Sequence, residues 1–328
     1  GPNMVMAGAW GAATADCAAT GAVLIPAMAK AGYSRAFAAA LTAAASTVGP
    51  IIPPSIMFVL YGAMTNVSIG KLFVGGIIPG FVMGLYLMIA AYVISRRRKY
   101  PKLTGIPLRQ AVRTAAGAMP AVLMPVVVLG GIVGGVFTPT EAGAIAAVYA
   151  FVLAVFVYRE LKLSEMMPLL VTTAVLTAAV MLIVSAASLF GWLLARERVP
   201  DLLVTAFTGW TTSPIVFLLA VNVLFLLLGC LFEAVSLLIL VTPVMMPLLA
   251  AYGVDPVHFG VLLTLNLMIG LLTPPVGMNM FIVCAIGKIT VREYTREVWP
   301  FVVALLLALL VVTYVPATVL FLADRLVN

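Results

Sequence analysis

Two pairs of adjacent prolines, Pro53–Pro54 and Pro274–Pro275, sit inside stretches otherwise apolar enough to cross a membrane. A proline in a spanning helix removes a backbone donor and clashes with the preceding turn, so two in succession free several carbonyl oxygens where no water can pair them. Either neighbouring hydroxyls take up those carbonyls, as in a packing kink, or a dehydrated cation does. Side-chain oxygens accumulate beside both pairs: Ser46, Thr47, Ser55 and Asn66 around the first, Asn266, Thr273 and Asn279 around the second. Each one alone could equally satisfy a local carbonyl. As a set flanking both breaks they describe a neutral oxygen cage, which suits Na+ because such oxygens replace its hydration shell without a titrating group.

Four ionisable residues fall within apolar stretches: Asp16, Glu141, Glu233 and His258. Charge at membrane depth is a functional signal by default. Asp16 and Glu233 are candidates for ion coupling or anchoring, with a structural pairing as the alternative. Glu141 follows Thr138-Pro139-Thr140, the pattern of a helix start, and reads as an N-terminal cap. His258, three residues after Asp255, reads as a structural residue at a helix start near the surface. Cys17, Cys230 and Cys284 have neither CxxC spacing nor flanking histidines, so buried hydrophobes are expected rather than disulfides or a metal site.

The elements that position these residues are membrane helices. The chain is 64% hydrophobic and only 9% charged, against about 25% charged in an ordinary soluble domain. Its mean hydropathy is +1.22. Apolar stretches at 73–95, 114–136, 140–158, 168–194 and 299–322 each suffice to span a bilayer. Those at 34–66 and 258–287 are longer and carry the Pro-Pro breaks near their middles. The net charge of +7 does not indicate nucleic acid, because seven of eighteen Lys and Arg lie between Arg96 and Arg113, the composition of a cytoplasmic loop. Gly1 to Ala9 lacks the basic start of a signal peptide, so insertion is expected to rely on the spans themselves.

One pattern occurs twice, 221 positions apart: GPIIPPS (Gly49–Ser55) falls on GLLTPPV (Gly270–Val276), and Gly8, Pro26, Gly32, Leu41 and Met57 fall on Gly229, Pro247, Gly253, Leu262 and Met278. With the Arg96–Arg113 loop inside, the helix 73–95 runs inward; the equivalent helix 299–322, which follows Lys288, Arg292 and Arg296, runs outward. Equivalent helices of opposite direction make an inverted repeat, the sequence pointer to a secondary transporter whose site lies at its broken helices. Ser213 to Ala250 must then enter and leave on the outer face, as a re-entrant hairpin with its tip at Gly229–Ser236. The offset maps that tip onto Gly8–Ala15.

The fold class expected is therefore an all-α polytopic membrane protein with inverted repeats, re-entrant hairpins and broken helices. Residues 1–72 form one half of a transport domain and 213–298 the other. Residues 73–212 supply scaffold helices, the cytoplasmic loop and a connecting arm, and 299–328 a C-terminal scaffold helix. Because the chain opens beside a hairpin tip and 114–228 has no first-half counterpart, an N-terminally incomplete transporter is expected. An intramembrane enzyme fares poorly, with one His, no HExxH, no GxSxG and no intramembrane Asp pair of suitable spacing.

At these residues the chain resembles the large membrane subunit of tripartite ATP-independent periplasmic (TRAP) transporters, the DctM-like branch of the ion transporter superfamily. The resemblance covers essentially all 328 residues. Its carriers are ATADCAATGAVLIPAMAKAGY, STVGPIIPPSIMFVLYG, SIGKLFVGGIIPG, GGVFTPTEAGAIAAVYAF followed by YREL, and VDPVHFGVLLTLNLMIGLLTPPVGMNMFIV. It implies a Na+-coupled importer of an organic acid in a bacterial inner membrane, moving as an elevator and using no cofactor. A C4-dicarboxylate, sialic acid or another sugar or keto acid is the implied substrate; a stand-alone permease of the same superfamily is the alternative. It also implies two partners, a small four-helix membrane subunit and a periplasmic substrate-binding protein.

Carried over by motif, one ion site would join the tip Trp10–Thr14 to Gly49–Ser55, and the other the tip Gly229–Ser236 to Gly270–Asn279. The ion-binding set is then Gly11, Ala12, Thr14, Ser46, Thr47, Gly49, Pro53 and Ser55 with Glu233, Ser236, Gly270, Thr273, Pro274 and Gly277. Asp16, Pro54, Asn66, Asn266, Pro275 and Asn279 would face the substrate. Where the family often has Ser-Gly-Ser at the first tip, this chain has Trp10, Gly11 and Ala12, so side-chain oxygens are missing there.

Overall fold

A computed structural model describes residues 11–101 and 108–327. The first repeat supplies α1 (Ala13–Lys30), α2 (Arg35–Ser46), α3 (Ile56–Thr65) and α4 (Ile69–Arg97). Then come α5 (Leu108–Val133), α6 (Pro139–Val152, prolonged by a π turn over Leu153–Val157), α7 (Met166–Arg196) and α8 (Val199–Trp210). The second repeat supplies α9 (Pro214–Gly229), α10 (Ala234–Tyr252), α11 (Pro256–Gly270), α12 (Met278–Gly287), α13 (Val291–Tyr314) and α14 (Ala317–Leu326). The starts of α10, α11, α12 and α13 fall 221 or 222 positions after those of α1, α2, α3 and α4. Repetition in the sequence is repetition of helices.

Local chemistry sets the boundaries. Ser34 caps α2 by accepting from Phe37 N, and Asp255 caps α11 by accepting from Val257 N and His258 N, with Pro256 at the first helical position. Thr138 and Glu141 form a capping box at the start of α6, as expected, and Thr290 with Glu293 does the same for α13. Left-handed residues end α3 (Asn66, φ 57°) and α10 (Gly253, φ 65°). The stretch expected to be one helix over 299–322 is two, α13 and α14, separated at Val315–Pro316. Pro316 carries no N–H with which to continue the helix.

Both broken helices are real. α2 and α3 are separated by Thr47–Ser55, and α11 and α12 by Leu271–Gly277; both Pro-Pro peptide bonds are cis. α9 and α10 form the hairpin expected over 213–250. Tyr252 donates its hydroxyl to the Thr211 carbonyl at 2.8 Å and stacks on Phe217 at 4.1 Å, closing the base of the hairpin while its tip reaches the second break.

Among the described residues six helices are long and apolar enough to cross a membrane, or seven if α8 and α9, bent by 120°, count as one span. The chain is a multi-pass membrane protein. Packing separates an inner group from an outer one. Every residue of α11 after Pro256 is buried, the signature of a helix hydrophobic all round, whereas α7, 31 residues long, buries only Ala187. The exposed leucines of α7 suit hydrocarbon. The two repeats pack crosswise: α12 on α1, α3 on α10, α13 on α2 and α11 on α4. The helices at 73–95 and 299–322 pack directly on the broken helices.

Candidate functional site

The site is built where three helix ends meet in the interior. Gly11, Ala12 and Thr14 from the first tip, Glu233 and Ala234 from the second, and Pro50 from the first break line one small cavity of about 60 Å³. The first residues of α1, α3 and α10 all border it. Each helix N-terminus presents roughly half a positive charge. At α10 that end is neutralised, because Glu233 accepts from Val235 N at 3.0 Å and from Ser236 N and Oγ at 2.7 and 2.9 Å. At α3 Ser55 Oγ accepts from Phe58 N. At α1, Ala12 offers no side-chain cap, so its N–H groups remain for whatever occupies the cavity. Trp10, placed in this tip by the sequence, lies outside the described residues.

Beside the cavity is a buried carboxylate. Asp16 is fully buried, and neither of its oxygens has a hydrogen-bond partner among the described residues. A Cβ added to Gly49 would stand 3.7 Å from Asp16 Oδ2, so this carboxylate faces the first break. Ser46 Oγ donates to the Ala43 carbonyl at 2.7 Å and accepts from Asn279 Nδ2 at 3.1 Å, while Asn279 Oδ1 is itself buried and unpartnered. Thr47 Oγ1 donates to the Ala44 carbonyl. Oxygens from a hairpin arm, the first break and the second broken helix thus converge on one region. An unpaired buried carboxylate is strongly unfavourable unless a cation or proton neutralises it. Among the described residues no three His, Cys, Asp or Glu side chains gather at one point, so a cation here would be held by Asp16 with neutral oxygens.

The second break is held more tightly. Gly229 and Gly270 meet backbone to backbone, and a Cβ on Gly270 would lie 2.5 Å from the Gly229 carbonyl carbon. Thr273 Oγ1 bonds the Gly270 carbonyl at 3.0 Å and Cys230 Sγ at 2.7 Å, and Val276 N donates to the Cys230 carbonyl. Gly277 N turns back to the Thr273 carbonyl, and Asn279 N to that of Leu271. Gly277 is required, since a Cβ there would meet the Leu271 and Thr273 carbonyls at 2.7 and 2.8 Å. Pro274 and Pro275 form the crest of this turn, as Pro53 and Pro54 do in the first. The first tip also rests on its break: a Cβ on Gly11 would stand 3.2 Å from the Pro54 carbonyl oxygen.

Two expected residues lie elsewhere. Asn66 ends α3 at the far side of that ten-residue helix, about 15 Å from the break, and is exposed. Asn266 is buried in α11 and donates to the Asn222 carbonyl and side-chain oxygen, both at 3.0 Å; Asn222 Nδ2 in turn donates to Thr313 Oγ1 at 2.9 Å. Sequence reasoning missed Asn222, although it is the lone polar side chain of α9, and Thr313, which follows the apolar run of α13. It placed His258 near the surface. The ring is 2% exposed and its Nε2 meets the Val312 carbonyl at 2.8 Å, because α13 covers the start of α11. Cys17, Cys230 and Cys284 are free thiols.

Comparison with known proteins agrees with this geometry. The family described as "Tripartite ATP-independent periplasmic transporter, DctM component" matches residues 2–318. The C4-dicarboxylate TRAP transporter large permease protein DctM of Pseudomonas aeruginosa is 39% identical, over 98% of this chain and 76% of its own length. The sialic acid TRAP transporter large permease protein SiaM of Vibrio cholerae is 40% identical, over 98% of this chain and 75% of its own. The isethionate TRAP transporter permease protein DctMQ of Oleidesulfovibrio alaskensis is 41% identical over 98% of this chain, which spans 51% of that protein. Two broken helices, the second met by a hairpin tip, and a family match over nearly the whole length place this chain in the DctM component family of tripartite ATP-independent periplasmic transporters.

Proposed function

We propose that the chain is the permease of an importer that carries an organic anion across a bacterial inner membrane by Na+ symport. The observation that carries this reading is the meeting of three helix N-termini, one of them uncapped, on a cavity beside the unpartnered carboxylate of Asp16. Positive helix ends suit a carboxylate or sulfonate, and mid-membrane oxygens suit the coupling cation. Relatives named for a C4-dicarboxylate, sialic acid and isethionate share an acidic group and little else, which supports recognition of the anion itself.

In this reading Asp16, Ser46, Thr47, Gly49 and Ser55 serve the first Na+ site, and Gly270, Thr273 and Gly277 the second. Binding of Na+ neutralises Asp16 and orders the breaks, so the anion is held well only when the cation is present. Hairpins and broken helices would move together as an elevator. A small membrane subunit and a periplasmic binding protein complete the assembly, the latter choosing the substrate.

Vesicles holding the chain with its small subunit, loaded or not with an inward Na+ gradient, test the proposal. Uptake of a labelled C4-dicarboxylate, sialic acid or isethionate should require both the gradient and added binding protein. Uptake indifferent to Na+ would overturn the symport reading, and uptake without the binding protein would leave a stand-alone permease.

A further inference from the structure

Away from the broken helices, the end of α4 opens into a cavity of about 440 Å³ lined by Tyr33, Tyr92, Ser95, Arg96, Lys99 and Tyr100. Two of those side chains are basic and none is acidic. Among the described residues Arg96 donates only to Tyr92 Oη, at 3.1 Å, while the neighbouring Arg98 is turned to Glu297 at 2.8 Å. Lys99 has no ion pair among the described residues. The cavity therefore holds positive charge and phenol groups that no acidic side chain among the described residues balances.

The backbone presents that charge deliberately. α4 ends in a Schellman turn, with Tyr100 N donating to the Ser95 carbonyl and Lys99 N to that of Arg96, and Lys99 occupies the left-handed position at φ 52°. Glycine takes that conformation at lower energy.

A lipid path leads to the same place. Phe81, Leu85, Met88 and Tyr92 recur at helical spacing on α4 and are all exposed, forming a continuous apolar stripe that ends at the cavity wall. The abundance of basic residues from Arg96 onward assigns this end of α4 to the cytoplasmic face. We propose that the cavity binds the phosphate of an anionic phospholipid of the inner leaflet, with Arg96 and Lys99 on the phosphate, the tyrosines at headgroup level and an acyl chain along the stripe. The site is independent of the ion and substrate sites, and joins the turn after α1, through Tyr33, to the end of α4.

The test is lipid retention by the purified full chain, read by native mass spectrometry after equilibration with equal amounts of phosphatidylglycerol and phosphatidylcholine. The wild type should prefer phosphatidylglycerol by about tenfold or more, as expected for two basic side chains near a membrane surface. Arg96→Gln and Lys99→Gly should each lower that preference severalfold. Lys99→Gly also relaxes the left-handed turn, so the chain should fold at least as well and the loss cannot be blamed on misfolding. Arg97→Gln, outside the cavity, should leave the preference intact. Equal retention of the two lipids, or equal loss in all three variants, would overturn the site in favour of diffuse charge attraction. Displacement of phosphatidylglycerol by inorganic phosphate alone would overturn the lipid assignment and leave a soluble-anion site.

Discussion

The two hairpin tips occupy equivalent places in an inverted repeat, yet they carry their charge differently. At the second tip the acid is Glu233, in the capping position of α10, with its oxygens consumed by Val235 and Ser236. Its counterpart under the 221-residue offset is Ala12, which caps nothing. In the first half the acid is Asp16, one turn into α1, buried and unpaired; its counterpart is Leu237. The second half is thus closed by its own hydrogen bonds, while the first is left with an open helix end and a buried carboxylate that no described residue pairs. Symmetry supplies two breaks, and departure from symmetry distinguishes what each can hold.

The sharpest way to break this comparison is Asp16→Asn. Na+-dependent uptake should fall by at least about tenfold, equivalent to ~1.4 kcal/mol of lost coupling, while thermal stability in Na+-free buffer rises because a buried charge has gone. Lower stability with unchanged uptake would make Asp16 structural. Next comes Gly270→Ala, which drives a methyl group into the Gly229 backbone and should destabilise the protein by about 1–3 kcal/mol. Gly229→Ala, whose Cβ comes no nearer than 3.4 Å to Gly270, should be tolerated in the same thermal unfolding experiment. Glu233→Ala removes a cap and should reduce stability by about 1 kcal/mol, with a smaller effect on uptake than Asp16→Asn. Smallest of all, Asn66→Ala should change uptake by less than about twofold.

The architecture was legible because its markers are local. Pro53–Pro54 and Pro274–Pro275 announce the breaks, and the offset that aligns them predicts where α10 to α13 begin. The breaks marked in the sequence are also where glycines allow close backbone approach, as at Gly270 and Gly277. Side chains proved harder to place by proximity in sequence. Asn66 stands eleven positions after Ser55, but the rise of α3 carries it to the far end of the helix. Asn266 pairs through its Nδ2 with Asn222, 44 positions earlier, in a contact that only the packing of α9 on α11 creates, while its Oδ1 has no partner among the described residues. Burial of His258 likewise depends on α13, which no pattern around VDPVH reveals.

Crosswise packing has a consequence for how the molecule is made. The face of α2 that α13 covers is synthesised roughly 250 residues before its covering helix, a wait of tens of seconds at ordinary elongation rates. Through that interval Ser46 also waits for Asn279, whose amide donates to its hydroxyl. Biogenesis therefore has a natural checkpoint at α13, and a ribosome that stops short of it leaves the face of α2 that this helix covers still bare.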